Sequence, residues 1–108
     1  MSIPKLLDLL ELEVRKPKRI GGVVVKSEGQ VLLVRRAENA GKYPNFWAVP
    51  MGHVEKGEKM IQGAHREFQE ETMLDIDINS LVYLDTLKDS KYNRITALYM
   101  IELPNKPE

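Results

Sequence analysis

The sequence predicts one α/β domain built on a mixed sheet with helices packed on its faces. Its 108 residues suffice for one two-layer core but not for a second independent one. Two pairs of apolar, largely β-branched runs, each pair separated by turn residues, read as hairpins. Between the pairs lies a segment whose apolar residues recur at helical spacing, and elements that alternate in this way stack as layers around a sheet.

Residues 2–14, "SIPKLLDLLELEV", place Ile3, Leu6, Leu7, Leu10 and Val14 at helical spacing behind the start signals Ser2 and Pro4. The alternation of "LELEV" leaves a strand open near the end of this segment. An apolar face this wide is expected to be buried, against the domain in preference to a second subunit. "RKPKR", residues 15–19, reads as a linker, because so short a basic run is more often a solvated connection than a nucleic-acid patch. The expected organisation is thus a helix and linker over 1–19 and a core over 20–102.

Within the core, "IGGVVVK", the turn "SEGQ" and "VLLVRR" form the first hairpin. Residues 37–45, "AENAGKYPN", have loop composition, and "FWAVP" is a short strand stopped by Pro50. From Glu58 to about Thr72, the residues Ile61, Ala64 and Phe68 fall at i, i+3 and i+7, a buried helical stripe. This helix lacks a strong N-cap residue and contains Gly63, which costs about 1 kcal/mol relative to alanine, so packing must hold it. "SLVYLDTL" and "RITALYMIEL" flank the polar "KDSKYN" as the second hairpin. There is no internal repeat or low-complexity tract.

Composition excludes several functions. With 16 basic and 16 acidic side chains, the net charge exerts no bulk pull toward long nucleic acid or an anionic membrane. The absence of cysteine removes disulfides, thiolate zinc sites and thiol nucleophiles, and fits a reducing compartment. No apolar run approaches a membrane span, and the start lacks a signal peptide's basic-then-apolar order. A soluble, cytoplasmic protein is expected.

The most informative stretch is "GHVEKGEKMIQGAHREFQEETML", residues 52–74. Positions three and four apart are neighbours on a helix, so Glu67, Glu70 and Glu71 share one side while Ala64 and Phe68 point to the core. Carboxylates this close repel and gain proton affinity unless a cation sits among them, and a hard divalent ion such as Mg2+ or Mn2+ prefers oxygen ligands. Gly63, one turn before Glu67, is expected to leave room for a ligand on that side. An acidic cluster alone usually marks a solvated face. The spacing here is more specific: Gly52, five residues, Glu58, seven residues, then Arg66, Glu67, Phe68, Gln69, Glu70 and Glu71. At ordinary residue frequencies such a pattern arises by chance in roughly one chain in 10⁵.

The segment resembles the signature of the Nudix hydrolases, pyrophosphohydrolases that cut a diphosphate in nucleoside diphosphates linked to another group. The resemblance extends to "VVVKSEGQVLLVRR", "FWAVPMGHVEKGE" and "HREFQEET", and covers about residues 20–102. It implies a Nudix-type α/β/α sandwich around a mixed sheet, in agreement with the element order. It also implies that Glu67, Glu70 and Glu71 bind Mg2+ or Mn2+, that the backbone carbonyl of Gly52 adds a ligand, and that Glu58 and Arg66 orient the cluster. The metals would screen phosphate charge and polarise phosphorus. In some members the first glutamate of the triplet, here Glu67, is the general base; in others a loop acid serves, for which Asp85 and Asp89 are candidates, although turn formation is the commoner use of such residues. A nucleotide substrate is implied. The second reading is a catalytically weak or inactive nucleotide-binding or sensing module on the same scaffold.

Three departures from the family pattern stand out. Met51 replaces a glycine before Gly52, and Met73 replaces a glycine beyond the helix, where methionine adopts the usual exit conformation less easily. The chain also ends at "LPNKPE", where relatives usually continue into a further loop, strand and helix. Glu102 or Glu108 is then a candidate to replace an acidic ligand from that loop. The sheet surface left over is expected to be covered by the N-terminal helix or a homodimer, unless the chain is a fragment. Trp47 and Tyr43 are candidates to stack on a base, with packing the more ordinary role for Trp47. Arg35 and Arg36 end a strand within reach of a phosphate. His53 and His65 lack metal-ligand spacing and are expected at the surface or behind the site, and the methionines read as gap fillers.

Overall fold

The computed structural model describes residues 16–36, 38–39 and 45–104, so the helix expected over 2–14, Tyr43 and Glu108 lie outside the described residues. Along the chain come β1 (Lys18–Ser27), β2 (Gln30–Val31), β3 (Val34–Arg35), β4 (Trp47–Ala48), β5 (Met51–His53) and α1 (Met60–Thr72). A single 3-10 turn (Ile78–Ser80), β6 (Val82–Asp89) and β7 (Arg94–Glu102) follow. The architecture is a mixed sheet flanked by an α-helix, in keeping with the Nudix sandwich.

β1 organises the sheet. Its β-branched run buries Val23 and Val25 almost completely. On one edge β1 pairs in parallel with β7, from Lys18↔Arg94 to Lys26↔Glu102. Its other edge is divided: β2 pairs with Lys26 and Ser27, and β5 pairs antiparallel with Ile20, Gly21 and Gly22. The expected hairpin therefore forms only at its turn, where Glu28 and Gly29 both have positive φ (52° and 75°), the conformation a tight two-residue connection needs. "VLLVRR" is not one strand. Beyond the Leu32 N–H to Val25 O bond, Pro50 O already takes the Val23 N–H, so the chain leaves β1 and β3 pairs with β4 instead. The second hairpin is as read, with β6 antiparallel to β7.

α1 begins at Met60 rather than Glu58. Glu58 belongs to the preceding turn, where its N–H reaches Glu55 O at 3.0 Å and its own carboxylate accepts the Glu55 N–H at 2.8 Å. The weak N-cap is offset by Gln62, whose side-chain oxygen accepts the Lys59 N–H at 2.8 Å. At the other end Met73 adopts the left-handed conformation (φ 61°) and its N–H bonds Gln69 O. The exit expected of a glycine is thus retained with methionine. That side chain is 87% exposed, so Met73 is not a gap filler.

Phe68, fully buried, seats α1 on the sheet with Ala64 against Val23, Val25, Ala97, Tyr99 and Ile101. A Cβ on Gly21 would lie 2.7–2.8 Å from the backbone and Cβ of Ala64, so only glycine lets the helix come this close. Gly21 shows which way the sheet faces. Since side chains alternate, Gly21, Val23 and Val25 look toward α1, whereas Lys18, Ile20 and Gly22 look away. Among the described residues, no helix is long and apolar enough to cross a membrane. Val82, Tyr83, Leu84 and Leu87 on the outermost strand β6 are exposed.

Candidate functional site

Arg66 gathers the acids of the site. From the middle of α1 its Nε and Nη2 donate to the two carboxylate oxygens of Glu58 at 2.9 and 3.0 Å, a two-pronged clasp. Nη2 also donates to His53 O at 2.9 Å. Nη1 donates to Glu67 at 2.9 Å and lies 3.3 Å from Glu70. The guanidinium thus ties α1 to both the turn before it and the end of β5. The bonds from Arg66, helped by the Glu55 amide, hold the Glu58 carboxyl well below the ordinary carboxylate range, at about 2. In return the bonds to Glu58 and then Glu67 raise the proton affinity of Arg66 still further.

Glu67 lies flat against β5. A Cβ at Gly52 would overlap its carboxylate and Cγ, so glycine is what admits this side chain. Glu70 projects into solvent, with 60% of its side chain exposed. Glu71 behaves differently. The residue is exposed overall, yet its carboxylate is partly covered beside the Met51 amide. This partial burial, then the negative charge of Glu67, raise its proton affinity; the Met51 amide and the charge of Arg36 oppose this, and Glu70 adds to it.

Among the described residues, no group of three His, Cys, Asp or Glu side chains is arranged to hold a metal ion. Glu67 and Glu70 are drawn to Arg66, while Glu71 takes the Met51 amide. The donor chemistry nevertheless suits a hard divalent cation: all donors are oxygens, and the raised proton affinity of Glu71 reflects repulsion and burial that a cation would relieve.

Two adjoining clefts, of about 340 and 430 Å³, share Arg36, Met51 and Glu71. The first continues over Val34, Ala48 and Val49; the second takes in Glu67, Gly52, Lys18 and Arg94. The second cleft is therefore lined by both acids, Glu67 and Glu71, and bases, Lys18, Arg36 and Arg94.

Several sequence expectations change. Gly63 makes no room for a ligand: it is buried, and a Cβ there would lie 2.7 Å from Val54. Trp47 is 64% exposed, contrary to the packing role. Asp85 sits on β6, not in a loop, and accepts the Thr86 amide; Asp89 ends that strand and accepts the amides of Lys91 and Tyr92, the turn-forming use. Glu102 pairs with Lys26, five positions along β1 from Gly21, so it stands about 16 Å from the level of Gly52. His53 is exposed and His65 bonds Ile76 O through Nε2 at 2.6 Å. Lys18 and Arg94 were missed. They lie at opposite ends of the described sequence, and only the parallel β1–β7 register joins them.

Comparison with known proteins settles the kinship. The NUDIX domain family matches residues 15–103. This chain belongs to the Nudix family. Within it, the chain is 49% identical over 45 residues, 42% of its length and 15% of the relative's, to the m7GpppN-mRNA hydrolase NUDT17 of Xenopus laevis. It is 32% identical over 85 residues to the nucleoside triphosphatase NudI of Salmonella agona, covering 74% of this chain and 60% of that one. The Nudix domain described here thus spans less than two thirds of either relative. In fold, it superimposes on a MutT/nudix family protein from Enterococcus faecalis with a TM-score of 0.78 at 23% identity, covering 99% of this chain and 46% of the other.

Proposed function

We propose that this Nudix domain is a divalent-cation-dependent hydrolase that cuts a diphosphate linkage in a nucleotide. The observation that carries the reading is Arg66, which clasps Glu58 from two nitrogens and aligns Glu67 and Glu70 on the helix that carries the cleft-lining Glu71. Such an arrangement spends a guanidinium on positioning acids rather than on solvent, which is how ligands to a metal are kept in place. Glu67, Glu70 and Glu71, with the Gly52 carbonyl, would hold Mg2+ or Mn2+. When bound, the ion would screen the charge of the diphosphate and polarise phosphorus.

The chain's own residues supply the rest. Arg66 fixes the orientation of Glu67 through a 2.9 Å ion pair, and Glu58 keeps Arg66 from swinging away. Arg36, which faces Glu71 across the shared clefts, is placed to meet a phosphate oxygen. NudI and NUDT17 are named for acting on a nucleoside triphosphate and a capped mRNA respectively, and both names agree with a nucleotide diphosphate substrate.

A second reading is a nucleotide-binding module without turnover. It is supported by Met51, whose side chain lines both clefts where the family pattern has a glycine. Incubation with nucleoside-diphosphate compounds and Mg2+ or Mn2+ separates the two. Product formed by the parent and lost in Glu71→Gln supports the hydrolase; saturable binding without product supports the module.

A further inference from the structure

Resting on the hydrolase reading, we propose that Lys18 and Arg94 form a phosphate-binding pair for a group beyond the diphosphate held at α1, so that the preferred substrate carries a polyphosphate end. The two residues are register partners at the start of the adjacent parallel strands β1 and β7. Both look away from the α1 face, yet both line the cleft that Glu67 and Glu71 also line. Like charges directly side by side on a sheet destabilise it. An anion between them removes that cost.

Within the described residues the two cations are offset only by one long ion pair, from Arg94 to Asp89. Lys18 is exposed and has no ion-pair partner among them. Arg94 has a side chain only 17% exposed, and its Nε lies 3.8 Å from Asp89, too far for a hydrogen bond. That Nε is buried without any hydrogen-bond partner, while the guanidinium rests 5.7 Å from the centre of the Tyr92 ring. Asp89 and Tyr92 thus orient the guanidinium on its buried Nε side without taking a hydrogen bond from it, which leaves the Nη donors for phosphate oxygens.

Spacing along the strand agrees. Gly21 stands opposite Gly52, against which Glu67 lies, and Lys18 is three residues earlier on β1, about 10 Å away. A polyphosphate chain bound at the carboxylates can extend over that interval. A neutral sugar there would leave two cations desolvated and unpaired, a cost that discriminates against it.

The test compares kcat/KM for a nucleoside triphosphate with kcat/KM for a nucleoside diphosphate joined to a hexose. In Lys18→Met and in Arg94→Met this ratio should fall at least about tenfold, and Arg94→Lys should restore most of it. Lys18 is exposed, so its variant folds even if the Arg94 variant does not. A short oligonucleotide with a 5′-triphosphate, run in parallel, tells whether the pair serves a free nucleotide or a nucleic-acid end. Calorimetry with inorganic tripolyphosphate in a metal chelator gives a readout without turnover: Lys18→Met should bind about tenfold more weakly than the parent. Ratios and affinities within twofold of the parent overturn the pair. Absence of cleavage of every compound by the parent sinks the hydrolase reading, and the chelated binding measurement still decides the pair on its own.

Discussion

Gly21 and Gly52 face each other across the β1–β5 ladder, and alanine at each should fail in a different way. A Cβ on Gly21 would stand 2.7–2.8 Å from the N, Cα and Cβ of Ala64. Those atoms belong to a helix anchored by the fully buried Phe68, so they cannot yield without lifting α1 off the sheet. Overpacking of this kind costs about 1–3 kcal/mol, which in a domain of this size lowers Tm by about 4–8 °C per kcal/mol. The three atoms nearest to the Cβ of an alanine at position 52 would all belong to the Glu67 side chain. A side chain can rotate away, so stability should change by less than about 1 kcal/mol. Rotation would break the Arg66–Glu67 bond and displace a proposed ligand, with turnover falling about 10–100-fold. Urea melts and steady-state kinetics on both variants check this. Equal loss of stability in the two, or full turnover in folded Gly52→Ala, would refute the placement of Glu67 against β5.

Phe68→Ala should cost about 3–5 kcal/mol, measured by chemical denaturation, because a fully buried aromatic leaves a cavity. Met73→Gly should raise stability by up to about 1 kcal/mol, since it relieves a left-handed methionine whose side chain is solvated. Acid titration of stability should show the Glu58 clasp: a carboxyl held at about 2 in the folded chain against an ordinary 4.5 contributes fully above pH 4.5 and loses that contribution as pH falls toward 2. Glu58→Gln should remove that acid-sensitive component; an unchanged profile would mean that the clasp does not persist in solution.

Much of the geometry of the candidate site was legible because it is local. Glu58, Arg66, Glu67, Glu70 and Glu71 lie within one turn and one helix, where spacing converts directly into shared faces. The fold class was legible too, since hairpin turns and the stripe of Ile61, Ala64 and Phe68 are local signals. What escaped depends on pairing at a distance. β5 displaces the second half of the first hairpin from β1, and no residue in "VLLVRR" announces that competition. Gly63 was read from helical position alone; its neighbour Val54 comes from the turn before α1, so the open side was in fact filled. Among the described residues β4 pairs only with β3, away from the main sheet, and its Trp47 is exposed. Lys18 looked like part of a linker until the parallel register set it beside Arg94.

The most direct test is product analysis of the folded parent incubated with a panel of nucleoside-diphosphate compounds and Mg2+ or Mn2+, with Glu71→Gln alongside. The account predicts cation-dependent cleavage of a diphosphate linkage by the parent and a loss of turnover by orders of magnitude in the variant, with its fold unchanged. Equal turnover by both proteins, or none by the folded parent, would contradict it.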